Sequence, residues 1–532
     1  MLVRFFLPSP FVRAHRFFGS KLPVVLLAIG LLVQGFSVSA SQAQTGDDAY
    51  RFARKMPGVS AFNMGVAGTG IAGVSDGSAF VSNPAGLGWA KGSYFSGGLT
   101  MSRTQEDGTF KAPGSTSFLG NEVTNTSLGS MAYLFKVPTS RGSMVVGASF
   151  HQVSTFERSL LYGGENNANS LTDYLMPLSS EFTIRTDAEG DFPEFDRTLS
   201  FLAYETYAID LDQGKLDAGD AVPFNPAVSA GTVSQNGFVD ETGRMSELNF
   251  GGSVEVAPNV MVGASLTVPF GSYSFSRELE EADINDANDG FNGTTDFDYL
   301  RFNEQVSSDV VGAGLRFGVS ALVNPELKLG LTIETPTYYS IDDKYSTILS
   351  TRFDNGDSFS YGGEDQDAGT GSFSYSVTSP WKLGVGGAYS VMGATFSADF
   401  ELVDWSQMTM DSDSYAFNDE NRAIKRGLNA VTNTRIGVSY DVTSSLVIRG
   451  GFATNVDPHA SSSIGSSSFN ADRTYYSLGL GYKVGDTFRA DLGWMVESFD
   501  DVYEVYNEVA NAPFVTEEVS RSQFKLGVSF GL

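Results

Sequence analysis

Phe524-Lys525-Leu526-Gly527-Val528-Ser529-Phe530-Gly531-Leu532 closes the chain, and its reading decides the fold. Side chains alternate between the two faces of a strand, so Phe524, Leu526, Val528, Phe530 and Leu532 share one face, and Lys525, Gly527, Ser529 and Gly531 the other. The same period of two recurs upstream. Phe488, Ala490, Leu492, Trp494 and Val496 oppose Arg489, Asp491, Gly493 and Glu497, and Leu446, Ile448 and Phe452 oppose Arg449 and Gly451. Ile436, Val438 and Tyr440 oppose Arg435, Ser439 and Asp441, and Leu327, Leu329, Leu331 and Ile333 oppose Lys328, Thr332 and Glu334. A dry sandwich core does not accept such charges unpaired. An oily outer face over a polar inner face is the pattern of a transmembrane β-barrel.

Composition agrees. The 532 residues include 59 glycines and 63 Phe plus Tyr, which favours strands and turns over helices. Cysteine is absent, which excludes disulfide-stapled domains, lipoprotein anchors and Cys-ligated metal centres. Against 62 acidic residues stand only 34 basic ones, a formal charge of -28 that excludes a nucleic-acid partner, because no basic face neutralises phosphates. At the N-terminus, Arg4, Arg13, Arg16 and Lys21 precede an apolar run from Leu22 to Val38 and an A-x-A-like Ser41-Gln42-Ala43. This predicts a signal peptide over 1–43 that is cleaved after Ala43, in preference to an uncleaved anchor. The mature chain is then more acidic still.

Short breaks at Pro138–Gly142, Ala257–Asn259, Asn324–Glu326, Met392–Gly393, Asp441–Ser445 and Val484–Asp486 each lie between alternating segments and read as tight turns. Long polar connections separate the resulting hairpins, at roughly 104–125, 156–244, 275–307, 342–371, 409–431, 455–472 and 500–517. About fourteen strands follow, within 93–532. An even number places both ends on the periplasmic, short-turn side and the long loops outside. Aromatics near strand ends form interface girdles in such barrels. Phe135, Tyr389, Tyr440 and Tyr482 precede tight turns and predict the periplasmic girdle; Trp405 is expected at the outer interface, with Trp381 nearer mid-strand.

A barrel of about fourteen strands is too wide for its own side chains to fill. The small-residue-rich stretch 44–92 is therefore expected to be a plug, or hatch, inside the lumen. Within it, Gly68-x-Gly70-x-x-Gly73 matches the dinucleotide fingerprint formally but lacks the strand, helix and βαβ context, so packing glycines are the preferred reading. The mature chain has only His151 and His459, neither beside a Ser/Asp arrangement, so no catalytic residues are assigned. No metal site or cofactor is expected; the acidic run Glu278–Asp283 reads as solvated surface.

Asp48-Ala49-Tyr50-Arg51, Phe62-Asn63-Met64-Gly65-Val66-Ala67-Gly68, Asp76-Gly77-Ser78-Ala79 and Asn83-Pro84-Ala85-Gly86-Leu87-Gly88 resemble the FadL/TodX group of outer-membrane hydrocarbon transporters, especially its Bacteroidota-like branch. Asn83, Pro84, Ala85, Gly86 and Leu87 look like that family's plug motif. Phe396 to Ser406 and Tyr476 to Tyr482 are similar to its later strands. The resemblance implies a multi-pass protein of the cell outer membrane that takes up hydrophobic small molecules passively, such as long-chain fatty acids or aromatic hydrocarbons. It implies release past the plug, sideways into the bilayer, beside a kinked strand. By position that strand is the third, 142–155, although its sequence carries no kink marker. A general porin and a structural or secretion-associated barrel are the alternatives. The expected partners are the hydrophobic ligand, outer-membrane lipid and lipopolysaccharide, and the barrel-assembly machinery through the C-terminal strand.

For capture, Leu199, Phe201, Leu202, Tyr204, Tyr207 and Ile209 in the longest loop have the spacing of a short amphipathic helix. They form either a substrate groove or a lid packed on its own loop. Lumen-facing Arg435, Arg449 and Arg489 either meet a ligand carboxylate or, the preferred reading, pair with inward carboxylates such as Asp491.

Overall fold

A computed structural model describes residues 46–532 except 188–189, 230, 285–287, 289–296, 367, 460–462, 465–466, 469–470, 486 and 508. The segment 1–43, expected to be a signal peptide, lies outside the described residues, as does most of the loop at 285–296.

The chain forms one closed antiparallel ring of fourteen strands. They are β1 (Tyr94–Ala112), β2 (Ser115–Val137), β3 (Met144–Thr155, continued outward as Arg158–Asn166), β4 (Val233–Ala257), β5 (Val260–Asp283), β6 (Phe297–Leu322) and β7 (Leu327–Glu334, continued as Tyr338–Phe353). There follow β8 (Thr370–Thr378 and Lys382–Val391), β9 (Ala394–Asp404), β10 (Ala430–Asp441), β11 (Leu446–Asn455), β12 (Arg473–Val484), β13 (Phe488–Glu504) and β14 (Phe514–Gly531). Closure is made by β1 against β14, in register from Tyr94 opposite Gly531 to Lys111 opposite Phe514. Among the described residues no helix is long and apolar enough to cross a membrane; the strands cross it.

Several strands run further outward than their sequence suggests. The expected long connection 104–125 is instead the outer half of a hairpin, turning at Pro113-Gly114 between β1 and β2. Similarly, much of 275–307 and 342–371 extends β5, β6 and β7. Proline divides two strands expected to be continuous: Pro336 breaks β7 and Pro380 breaks β8, since proline cannot donate to a ladder.

The alternation changes sense along each strand. On β14 the outward residues Phe530, Val528, Leu526 and Phe524 are exposed, whereas further up the outward residues are Ser522, Ser520 and Glu518 and the inward set includes buried Val519 and Val515. β5 exposes Leu266 and Phe270, then Ser272 and Ser274; β6 exposes Leu315 and Val311, then Asp309 and Ser307. Ser272, Asp309, Asp342 and Ser374 face one another across four strands and mark the upper edge of the apolar belt. Ten tilted residues below that edge span about 25 Å, the height of a barrel's lipid-facing band. Above it the strands bury apolar side chains inward, around Phe110, Leu160, Phe297, Leu300, Phe302, Leu349 and Val515.

Phe135, Tyr389, Tyr440 and Tyr482 are exposed at the short-turn end, where the girdle was expected. Trp405 is not at the outer interface. It is 3 % exposed and faces inward, because β9 ends at Asp404, whose carboxylate caps a single 3-10 turn at Trp405–Gln407. Trp381, just past the proline break, is the exposed one at 49 %.

The segment before β1 carries α1 (Gly46–Ala53), α2 (Ala61–Met64), α3 (Ala79–Ser82) and a 3-10 turn at Pro84–Trp89. The Ser60 hydroxyl caps α2 by accepting from Asn63 N at 3.1 Å. Much of the segment is buried against inward residues of the strands. Close approach is possible because the facing wall positions are glycines: Gly263, Gly318, Gly330, Gly386, Gly437, Gly451, Gly479 and Gly493, on eight different strands, leave no room for a Cβ beside segment atoms. On β9 the Asp399 carboxylate accepts instead from Gly70 N at 2.6 Å and Ile71 N at 3.0 Å.

In the loops, α4 (Leu171–Leu175), α5 (Thr198–Glu205) and α6 (Gln213–Ala218) lie in the long connection after β3, and α7 (Asn418–Gly427) lies between β9 and β10. The described cap residues and the outer ends of the strands share one apolar core.

Candidate functional site

Below the cap core, a second apolar cluster lies inside the ring at the level of α1. Its wall residues are Met245 on β4, Tyr273 on β5, Val310 on β6, Tyr339 and Ile341 on β7, Tyr375 and Val377 on β8, and Trp405, Met408 and Met410 at the end of β9. Ala49, Phe52 and Ala53 of α1 close it from within. Met side chains adapt their shape readily, and aromatic faces offer broad apolar contact, so the lining suits uncharged surface of varied outline. An apolar lining in a barrel lumen is the feature that alternation within the belt did not reveal.

The cluster ends at a discontinuity in the wall. β2 and β3 pair from Val137 opposite Met144 to Ser130 opposite His151, and there the ladder stops. The register of β3 on β4 shifts between Gln152 and Ser154, and residues 151–157 are all buried although a wall strand should expose every second one. Beyond the shift, past the pair of Thr155 and Arg244, lies Gly243, at φ 120°, whose carbonyl accepts from Phe156 N at 3.0 Å. Side chains, not backbone, bridge the seam: Ser127 Oγ donates to Gln152 Oε1, Asn125 Nδ2 donates to Glu157 Oε1, both at 2.6 Å, and Asn121 Nδ2 donates to Ser159 Oγ at 2.7 Å. Outside the seam is a groove of about 690 Å³ lined by Thr126, Leu128, Phe150, Arg244, Phe270 and Val311. Inside, Phe156 makes an edge-on aromatic triad with Phe52 of α1 and Tyr273, at 5.5 to 6.1 Å between centroids. Met56 N donates to Val153 O at 2.8 Å, so the N-terminal segment is bonded directly to the irregular strand. The seam was expected by position only; its sequence, Gln152-Val153-Ser154-Thr155-Phe156, contains neither Gly nor Pro.

A charged layer underlies the apolar cluster. Lys55 is 2.7 Å from Glu247 and 2.6 Å from Glu334, Arg316 is 2.5 Å from Glu334, and Lys382 Nζ donates to Ala53 O at 3.0 Å. A cavity of about 70 Å³ sits here between Tyr50, Lys55, Glu401 and Trp405. Among the described residues no group of His and carboxylates could hold a metal ion.

The three arginines singled out from the sequence all meet carboxylates. Arg435 is 3.2 Å from Glu401, and Arg449 and Arg489 are 2.9 and 2.7 Å from Asp491. The guanidiniums of Arg449 and Arg489 also lie 4.5 and 4.3 Å from the ring centre of Phe62 in α2, so they hold the N-terminal segment near the periplasmic end. They do not share a site with the loop residues. Phe201, Leu202 and Tyr204 lie on α5 in the outer cap: Leu202 is buried, Phe201 packs on Tyr361 at 5.6 Å and Tyr204 on Phe195 at 5.7 Å. Tyr207, at φ 58°, stands half-exposed against Phe359.

The Asn83-Pro84-Ala85-Gly86-Leu87 run is bonded to the wall at Asn83 and Ala85. Asn83 Nδ2 is within hydrogen-bond reach of Ile71 O at 2.7 Å, Val319 O at 3.1 Å and Leu331 O at 3.3 Å, while its Oδ1 accepts from Ala85 N at 3.0 Å. Ser253 Oγ donates to Ala85 O at 3.0 Å, Pro84 faces Gly263, Gly86 packs on Gly73 and Val74, and Leu87 is fully buried.

Residues 216–523, more than half of the chain, match the model of the outer membrane protein transport protein family (OMPP1/FadL/TodX). No curated protein sequence matches. Solved structures similar to this chain include a Pseudomonas aeruginosa FadL homologue, 12 % identical over 90 % of this chain and 99 % of that one, with a TM-score of 0.50. The Pseudomonas putida toluene transporter TodX is 14 % identical over 90 % and 99 % (TM-score 0.49), and the Ralstonia pickettii toluene transporter TbuX 16 % over 90 % and 99 % (TM-score 0.45). With a closed barrel, an apolar belt and this match, the chain belongs to the OMPP1/FadL/TodX family, as a multi-pass outer-membrane transporter of hydrophobic compounds and not an enzyme.

Proposed function

We propose that this protein carries uncharged or weakly polar hydrophobic small molecules passively from the cell surface into the outer membrane, leaving sideways through the β2/β3 seam. The observation that carries this reading is the apolar cluster inside the lumen, which ends at Phe156 where the ladder between β2 and β3 stops. An apolar ligand gains about 25 cal/mol for each Å² it buries, so the aromatic outer cap and then the cluster offer it successive sites away from water. The N-terminal segment acts as the plug: its backbone lies against the glycine wall and leaves the seam as the apolar outlet. No energy source beyond the concentration gradient is required.

Because the chain has no cysteine, the seam can be locked selectively. A short thiol crosslinker joining N125C to E157C spans a pair that is hydrogen-bonded at 2.6 Å. Uptake of a hydrophobic probe into cells should fall when the crosslink forms and recover when it is cleaved. Unchanged uptake in the crosslinked protein would overturn lateral release.

A further inference from the structure

We infer that the inner wall formed by β14 and β1 to β4 holds a hydrated crevice for water and small ions, separate from the apolar route and closed toward the periplasm by an apolar seal. The two sides of the lumen differ. From β5 round to β13, except on β9, glycines bring the N-terminal segment close against the wall. On the other side the corresponding positions are polar side chains. Leaving aside the carboxylate of Glu247, seven of their buried atoms have no hydrogen-bond partner among the described residues: Gln523 Oε1 on β14, Thr100 Oγ1 and Ser102 Oγ on β1, Ser149 Oγ, His151 Nδ1 and Ser154 Oγ on β3, and Asn249 Nδ2 on β4. Each of these residues is more than nine-tenths buried.

The strand register makes this a continuous patch. Ser102 lies opposite Gln523, and Ser149 lies opposite Asn249. Between them, β2 contributes Ser127, bonded to Gln152. Buried polar groups are almost always hydrogen-bonded, and where protein supplies no partner, water does, with each molecule taking about three bonds. Of the charged groups facing the patch, Lys525 Nζ donates to Val59 O at 3.2 Å, and Lys55 Nζ lies 2.7 Å from Glu247 Oε1 as an ion pair. Through Ser127 and Gln152 the patch abuts the outer groove at the seam.

Toward the periplasm the inward residues change character. Below Ser149 on β3 comes Val145, and beside it on β2 Leu134; with Ala79, Phe80, Leu87 and Ala90 of the N-terminal segment they form a compact apolar cluster. An apolar constriction of this sort stops ions by excluding water.

The test is single-channel conductance in planar bilayers. L134S/V145S should show discrete conductance steps absent from wild type. M495S, equally buried but on the glycine-lined wall, should not. Heat-modifiable migration confirms the fold of each variant. No steps in folded L134S/V145S, or equal steps in M495S, would overturn the proposal. If the double variant does not fold, radiolytic footprinting of wild type decides: rapid oxidation of His151 supports internal water, and an unlabelled His151 refutes it. Hydrophobic-probe uptake is read separately, so this proposal and lateral transport can fail independently.

Discussion

The lipid belt and the outer cap are built from the same strands, yet they bury opposite faces. On β14, Leu526 is 55 % exposed to the membrane while Lys525, its neighbour, is turned inward; a few residues higher, Ser520 faces out and Val519 and Val515 face in. The solvent outside the wall makes the difference. Lipid rewards apolar outward side chains, and water above the headgroups reverses the preference. The upper half is thus an ordinary water-soluble barrel with a core of its own, standing on a membrane-spanning one. That core is rich in aromatic side chains, among them Phe110, Tyr162, Phe224, Phe297 and Phe302.

Three experiments probe that division. Phe110→Ala empties a fully buried site stacked on Tyr162, and should cost the cap about 3–5 kcal/mol, seen as faster proteolysis of the long loop with the barrel's heat-modifiable migration unchanged. If migration changes too, cap and belt are one cooperative unit. Leu526→Arg should cost about 2–4 kcal/mol in a bilayer refolding titration, near the middle of the band, whereas Ser520→Arg should be close to neutral. Equal costs would erase the edge drawn through Ser272 and Asp309. The smallest effect concerns pH. Glu281, in the extracellular extension of β5, is buried without a cation; it accepts from Ser170 Oγ, from Leu171 N at 2.9 Å and from Gln235 Nε2 at 2.6 Å. Burial raises its pKa above the ordinary carboxyl value, against those hydrogen bonds and with Asp173 and Tyr506 nearby. A raised carboxyl favours the folded state when protonated, so the anchoring of α4 is strongest in acid and weakens as pH rises through the raised value. Loop proteolysis should accelerate from about pH 4 toward neutrality, and Glu281→Gln should flatten most of that slope, leaving the smaller contribution of Asp173, whose carboxyl partial desolvation also raises.

The belt was legible because its contrast is high: Phe, Leu and Val against Lys, Gly and Ser at strict period two. The fourteen strands and their short turns follow from that contrast alone. The outer halves were not legible as strands. In Arg103-Thr104-Gln105-Glu106-Asp107 both faces are polar, since one meets water and the other supplies interior ion pairs such as that of Glu106 with Arg158 at 2.8 Å. Trp405 misled because a capped turn, not the strand's phase, sets its direction. The apolar cluster escaped notice because its members come one or two from each of several strands, and only ring closure brings Met245, Tyr273, Tyr339 and Trp405 together. The seam has no Gly or Pro on its own strand; the nearby glycine at positive φ, Gly243, lies across the ladder, where its carbonyl accepts from Phe156 N.

α1 lies high in the lumen, where Gly46 packs against Ile424 of the α7 loop, while β1 begins at the periplasmic rim with Tyr94. The first forty-odd described residues therefore run down the bore before the wall starts. A chain with this path cannot have its leading end inserted after the cylinder is complete except by threading it through. A ring that closes between its first and last strands around a segment already in place needs no such threading.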